Sequence, residues 1–428
     1  MTLLVLAWLV AGLAVSGERS AGTAPSLRTR QVPLTAHRSP LTSPEPGSEL
    51  TVTLLTFESG GRLWERFGHN GIWLHDAATG TDHLYDYGRF DFNAPNFFLR
   101  FAQGKMWYSM GDTNDVGRVV AFYRSQGRKI WAQELDLTPA QRQELRSFLV
   151  WNIRPENAGY AYDYYLDNCS TRIRDAIDKV LGGTIRRYGV APSGFTWRQE
   201  TRRLDEHSVA VYTGLMIGLG QPTDREMSRW EQMFLPIRLR EHMDSIQVTG
   251  PDGVSRPVVR AARVLYEGGS WPVPSRPSNW TLRYLLVGLV LGALLAWLPH
   301  PTAGSARARR AAFLGLATFW ALFAGIFGGA LTWLWAFSSH VAAYRNENLF
   351  LFNLLALGLA VVLPSAVRGK GWAQKPARRL ALVVAALAAL GLLLKLLPAF
   401  HQSNLELITL ALPIHTGVWL GLRNPSPS

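Results

Sequence analysis

The 428-residue sequence holds one cysteine, Cys169, at a place where a thiol can be made reactive. It follows the run Tyr160-Ala161-Tyr162-Asp163-Tyr164-Tyr165-Leu166-Asp167-Asn168. It also opens a segment, Asp167 to Leu181, in which Ile173, Ile177, Val180 and Leu181 recur at helical spacing before Gly182-Gly183. A thiol in the first turn of a helix meets unpaired backbone N–H groups and the positive end of the helix dipole, both of which favour thiolate. Arg172 and Arg174 would add to this if they faced it. The alternative is a small buried hydrophobe beside a polar cap. A single cysteine forms no internal disulfide, so in an exported segment it is either inert or kept for its reactivity.

A reactive thiol needs a base, and the best partner by context is His69 in Phe67-Gly68-His69-Asn70-Gly71-Ile72-Trp73. Gly68 frees the backbone to turn an imidazole toward a helix start at the mouth of a strand. The competing reading is a structural histidine bonded within a loop. A third group should orient the ring. If a hairpin turns at Ala77 to Gly80, His69 lies opposite roughly Arg89, and Tyr85 and Tyr87 share its face; a slip of one residue brings Asp86 there instead. Asn168 can donate to an oxyanion with the backbone N–H of Cys169, or it can cap the helix. His75, Asp76, Asp82 and His83 match no strong metal-ligand spacing, so neither a metal nor a cofactor is expected.

The elements that must carry these groups are legible in part. Leu50 to Phe57, His69 to His75 and Asp82 to Gly88 read as strands. A fourth β signal runs Val116 to Tyr123 and a fifth Lys129 to Leu137. Thr138-Pro139 then opens a helix from Ala140 to Ile153. Thr223-Asp224-Arg225-Glu226, behind Pro222, has a capping-box pattern for a third helix carrying Trp230, Met233 and Phe234 toward Pro236.

The ends of the chain are of another kind. Leu3 to Val15 is apolar but too short to span a bilayer, so residues 1–16 read as an export signal or anchor. Residues 17–48 read as a disordered tether, 49–250 as a folded exported domain and 251–280 as an irregular connector. Five apolar segments follow within 281–422: Thr281 to Leu298, Ala312 to Phe337, Leu349 to Val367, Leu380 to Leu397 and Leu405 to Leu422. Residues 423–428 form a tail.

The formal net charge of +13 would suggest nucleic acid in a soluble protein, but its placement argues otherwise. Arg307, Arg309 and Arg310 lie between the first two apolar segments, and Arg368, Lys370, Lys375, Arg378 and Arg379 between the third and fourth. The positive-inside rule puts those linkers and the C-terminus in the cytoplasm and residues 17–280 outside. The charge reports topology, and no nucleic acid is expected. Two polar clusters then face the Cys169 side: His340, Tyr344, Arg345, Asn346, Glu347 and Asn348 in one linker, and His401, Gln402 and Asn404 in the other. They read as headgroup or acceptor contacts, or as ordinary solvated loops. Lys395 would snorkel to the surface. His415 falls ~15 Å into the last span, where a polar group faces a helix partner or a cavity.

Several motifs in one order resemble a known group. These are Gly68-His69-Asn70, Tyr85-Asp86-Tyr87-Gly88-Arg89-Phe90-Asp91-Phe92, Pro95-Asn96-Phe97-Phe98, Phe101-Ala102-Gln103-Gly104 and Tyr162 through Arg172, with Gly214-Leu215-Met216 and Phe234-Leu235-Pro236. Together they look like the periplasmic domain of the Lnb lipoprotein N-acyltransferase family. The resemblance implies an α+β, circularly permuted papain-like domain related to NlpC/P60-type thiol enzymes, its antiparallel sheet packed on the Cys169 helix, followed by an all-α domain of five transmembrane helices. It implies a bacterial inner-membrane enzyme that moves an acyl chain from a phospholipid, through a Cys169 thioester, to the α-amino group of a diacylated lipoprotein. Cys169 and His69 would form the dyad, with Asn168 and Asp86 in support. Asn70, Tyr85, Tyr87, Arg172, His340, Asn346, Asn348 and His401 are the expected substrate contacts. A cell-wall peptide or amide hydrolase using the same dyad, and a non-catalytic membrane sensor, are the alternatives.

Overall fold

The computed structural model describes residues 45–91, 93–250, 252–269, 271–300 and 306–423. The expected signal or anchor at 1–16, the expected tether up to residue 44 and residues 424–428 of the expected tail lie outside the described residues.

Leu50–Phe57 (β1), rich in Leu and Thr, is buried along almost its whole length, as a central strand must be. It pairs antiparallel with His69–Asp76 (β2) on one side and Ile130–Leu135 (β5) on the other. Thr81–Arg89 (β3), Met106–Thr113 (β4) and Gly159–Tyr162 (β6) extend the sheet past β2, and Val259–Tyr266 (β7) closes the other edge against β5. The result is one seven-stranded sheet in the order β7-β5-β1-β2-β3-β4-β6, with every pair antiparallel.

Helices cover both faces. A short helix, Phe97–Ala102 (α1), joins β3 to β4. Val116–Ser125 (α2) lays Val116, Val119, Val120 and Tyr123 over Leu55, Phe57, Leu84, Ile130 and Ala132. On the opposite face Pro139–Asn152 (α3) and Cys169–Val180 (α4) bury Leu145, Leu149, Ile173, Ile177 and Val180 against Val52, Leu54, Ile72, Leu74, Tyr85 and Tyr87. Beyond these, Trp197–Asp205 (α5) and Val209–Gly218 (α6) lead toward the membrane half, while Pro236–Met243 (α7) packs Leu239 and Met243 into the core shared by the sheet and α4.

Three sequence expectations are corrected here. Val116 to Tyr123 is a helix, because its apolar residues recur at three- and four-residue steps and the Asp115 side chain accepts from the Arg118 N–H; its β-branched content had suggested a strand. The helix expected from Thr223 is a short 3-10 turn, Gln221–Asp224. Asp224 is held by the buried Arg198 guanidinium, and Ser228 instead caps a separate turn, Arg229–Gln232. The connector is not wholly irregular, since it supplies the edge strand β7.

In the second half, Thr281–Trp297 (α8), Ala306–Phe337 (α9), Leu355–Val367 (α10), Gly371–Leu393 (α11) and Leu405–Arg423 (α12) form a helical domain. Among the described residues four helical stretches are long and apolar enough to cross a membrane: Ala306–Phe337, Glu347–Val367, Gly371–Leu396 and Leu405–Arg423. The expected fifth, α8, is apolar but only 17 residues long. It packs closely on α12, where a Cβ at Gly288 would lie 2.5 Å from the Thr409 carbonyl oxygen and one at Gly417 2.2 Å from that of Gly292. Small residues permit such backbone approach.

Candidate active site

Cys169 is the first residue of α4, and Asn168 is its cap. The Asn168 Oδ1 accepts from the N–H groups of Ser170 and Thr171, each at 2.9 Å, while its amide donates to the carbonyls of Tyr164 and Phe234. Every donor on that side chain therefore has a partner, which makes it a cap rather than an oxyanion donor. The backbone N–H of Cys169 is different: among the described residues it meets no acceptor. Arg172 and Arg174 do not face the thiol. Arg172 makes a two-point bond to Asp167 and lies over the Tyr160 ring, and Arg174 bonds Asp175 and stacks on Trp230.

His69 is the first residue of β2, with Gly68 before it in the left-handed region. The pairing of Gly71 with Asp86 and of Ile72 with Tyr85 sets the β2–β3 register. It is the register that turns Asp86 to the His69 face and buries Tyr85 and Tyr87 on the other, against the expectation that those two tyrosines contact substrate. His69 Nε2 lies 3.2 Å from Asp86 Oδ2, and Arg89 Nε donates to Asp86 Oδ1 at 2.8 Å. The Cys169 thiol lies close enough to the imidazole to act on its titration.

Two local devices bring the thiol to the ring. The Asn70 amide donates to Ser170 Oγ at 3.1 Å, so the residues after His69 and after Cys169 are tied to each other, and Ser170 Oγ in turn donates to the Met233 carbonyl. Asn70 is buried, which makes it a brace and not a substrate contact. The second device is an irregularity in β3 between Tyr87 and Arg89. Gly88 there has φ 98°, and a Cβ on it would sit 3.6 Å from that of Cys169.

The electrostatics follow from this packing. Burial alone would push His69 below its ordinary value. The acidic side chains of Tyr123 and Cys169, with the hydrogen bond to Asp86, more than offset burial and hold its pKa well above that value. Asp86 shows the mirror image: burial raises it, but bonding to His69 and the charges of His69 and Arg89 bring it below the usual carboxylate range.

Sequence reasoning missed Arg89, Tyr123 and Arg128. Tyr123 stacks on Phe57 at 3.9 Å, with His69 at 6.4 Å, and the Arg128 guanidinium lies 4.5 Å over its ring. Arg89, three residues after Asp86, carried a readable signal; the other two become site residues only through the sheet and α2.

The remaining expected contacts lie elsewhere. Asn346 donates to the carbonyls of Ile217 and Gly218, and Asn348 to those of Met216 and Ile217. Both are buried, and both satisfy the open C-terminal end of α6. Gln402 joins Leu219 to Glu347, which pairs with Lys395. His340 Nε2–H donates to the Phe101 carbonyl, and the exposed His401 bonds the Pro398 carbonyl. The two polar linkers thus bond the first half of the chain to the helical domain. His75 and His83 lie on opposite faces of β2–β3, on Asp82 and Asp112 respectively, so the two do not share a ligand position. His415 accepts from Trp320 Nε1–H and donates to the Leu351 carbonyl, a fully bonded structural histidine.

Comparison with known families places both halves. The model of the Lnb N-terminal periplasmic domain matches residues 44–203, and that of the Lnb transmembrane domain matches residues 280–423. No curated protein and no solved structure matches the chain.

Proposed function

This chain belongs to the Lnb family and is a multi-pass membrane protein with a periplasmic domain, and on that premise we propose that it is a cysteine-dependent lipoprotein N-acyltransferase. The observation that carries the reading is the Cys169–His69–Asp86 arrangement at the start of α4, built on a helical domain that belongs in lipid.

The proposed reaction has two halves. Cys169 gives its proton to His69, and the sulfur attacks an ester carbonyl of a phospholipid. With Nε2 on Asp86, Nδ1 is the ring nitrogen that exchanges the proton. The developing oxyanion meets the Cys169 backbone N–H and the positive end of α4. The ester C–O bond then breaks, the imidazolium protonates the departing alkoxide, and a lysophospholipid leaves behind a Cys169 thioester. In the second half a lipoprotein's free α-amino group attacks the thioester, His69 takes its proton, and the sulfur leaves as thiolate. The permuted papain-like classification and an orientation with residues 17–280 in the periplasm and the C-terminus in the cytoplasm belong to the same proposal. The order of histidine and cysteine along the chain supports the first, and the basic residues in the first turns of α9 (Arg307, Arg309, Arg310) and around the α10–α11 junction (Arg368, Lys370, Lys375, Arg378, Arg379) support the second.

The test is mass spectrometry of a reporter lipoprotein's amino-terminal lipopeptide, in cells depleted of their own N-acyltransferase and expressing wild-type protein or Cys169→Ala. An added acyl group with wild type and none with the mutant is the expected result. No added group with either protein, both being present in the membrane, would sink the reading.

A further inference from the structure

Helix α1 buries none of its side chains. Phe98, Leu99 and Phe101 keep 48%, 51% and 49% of their surface exposed, an apolar patch that water alone does not explain. What holds α1 in place is the end of a spanning helix. His340 Nε2–H donates to the Phe101 carbonyl at 2.7 Å and the Ser339 N–H to that of Gln103 at 2.9 Å. Gly104, at φ 72°, leaves room for this contact, since a Cβ there would come within 2.6 Å of Ser339 Oγ. Ser339 lies two residues beyond α9, and Phe337 and Val341 beside it are exposed as well. The patch therefore sits at the level of the membrane surface on the side of the sheet domain.

From α1 a row of rings runs back into that domain. Phe97 faces Phe90 at 6.1 Å, Phe90 stacks on Tyr108 at 4.9 Å, and Tyr108 stacks on Tyr162 at 4.2 Å. All four are half-buried. Tyr108, Tyr162 and Cys169 border the same apolar cluster. Burial pushes Tyr108 up to about 12 and Tyr162 well above its ordinary value, so both phenols stay neutral and present ring faces. A continuous apolar row between a lipid surface and a nucleophile has the shape of a chain-binding track.

We propose that the row Phe97, Phe90, Tyr108 and Tyr162 seats the acyl chain of the phospholipid donor, which leaves the bilayer at α1 and lies along the rings with its ester carbonyl at Cys169. This rests on the acyltransferase reading above. The track accounts for how an ester that sits at a membrane surface reaches the thiol at the start of α4. It also makes chain length a selected property, because a short chain covers only the rings nearest the thiol.

Two measurements test it, both on the full chain in vesicles of phosphatidylethanolamine and phosphatidylglycerol. In the first, the vesicles carry lipids with a diazirine at the end of one long acyl chain, and Cys169→Ala prevents turnover. Photo-adducts on peptides containing Phe90, Phe97 or Tyr108 are expected; adducts confined to α8–α12 would overturn the track. In the second, the mass of the Cys169 thioester is read with long-chain and short-chain donors in competition. Phe90→Ala should reduce the long-to-short ratio at least ~10-fold and Phe90→Leu should restore most of it. An unchanged ratio in Phe90→Ala would overturn the track while leaving the acyltransferase reading in place. If the wild-type chain forms no thioester from any of these lipids, both fall together.

Discussion

The histidine at the head of β2 is held in its charged form by its neighbours, and that has a direct consequence for pH. Its pKa stands well above 6.5 because Tyr123, Cys169 and Asp86 outweigh the cost of burial. The alkaline limb of kcat/KM for thioester formation should therefore lie above the ordinary histidine range. Asp86→Asn removes a carboxylate that favours the charged ring, so the limb should move down in pH and the maximum should fall on the order of 10²-fold. A pH–rate profile of Asp86→Asn with an unmoved limb would show that Asp86 does not act on the ring. Arg89 acts one step further out, from an exposed position, on Asp86 and Thr113. Arg89→Ala should cost roughly fivefold, in line with an exposed ion pair of about 1 kcal/mol, and Arg89→Lys should recover part of it. Linkage gives the same sign for stability. A raised histidine contributes fully below about 6.5 and loses that contribution as pH rises through its folded value.

At the scale of elements, the dyad depends on how closely α4 approaches the strands that carry His69 and Asp86. Gly88 occupies a left-handed conformation at the β3 irregularity beside Cys169. Gly88→Ala should destabilise the protein by about 1–2 kcal/mol, through backbone strain and not through overlap, since a Cβ there makes only ordinary contact. Thermal unfolding in detergent checks this, and an unchanged midpoint would mean the strand adapts. Asn70→Ala cuts the tie to Ser170 at a cost of about 1 kcal/mol. Its effect on thioester formation should be larger than its effect on stability, because the lost bond fixes the two segments that bear the reacting groups.

For the whole molecule, the surprise lies in the linkers between the spanning helices. Asn346, Asn348 and Gln402 point their amides at carbonyls of α6 and the turn after it, while Arg202 of α5 reaches Glu406 and the Ser403 carbonyl. The amide bonds among these are buried, so the halves should unfold together. Calorimetry in lipid nanodiscs should give one transition for wild type and two for the Asn348→Ala, Gln402→Ala pair. A single transition in the variant would show that packing alone couples the halves. A rigid mount of this kind keeps α1 and the ring row at a set height above the lipid, which a loosely tethered domain would not do.

The first three strands, both long helices of the first half and the apolar segments were legible because each has its own periodicity, and a thiol at a helix start was legible from Cys169 behind an Asn cap. The family followed from motif order. What one dimension could not decide was any feature set by register or by partners distant in sequence. Asp86 rather than Tyr85 or Tyr87 beside His69 turns on a one-residue choice that either hairpin pattern allows, and the buried face of the sheet settled it. Val116 to Tyr123 reads as a strand until α2 is seen covering the sheet. Asn346, Asn348 and His340 look like solvated loop residues until carbonyls more than a hundred residues away meet them. The sequence by itself determined which groups exist and which segments carry them; only the tertiary structure decided which carbonyls and carboxylates they face, because those partners come together only when the sheet and the helical domain pack.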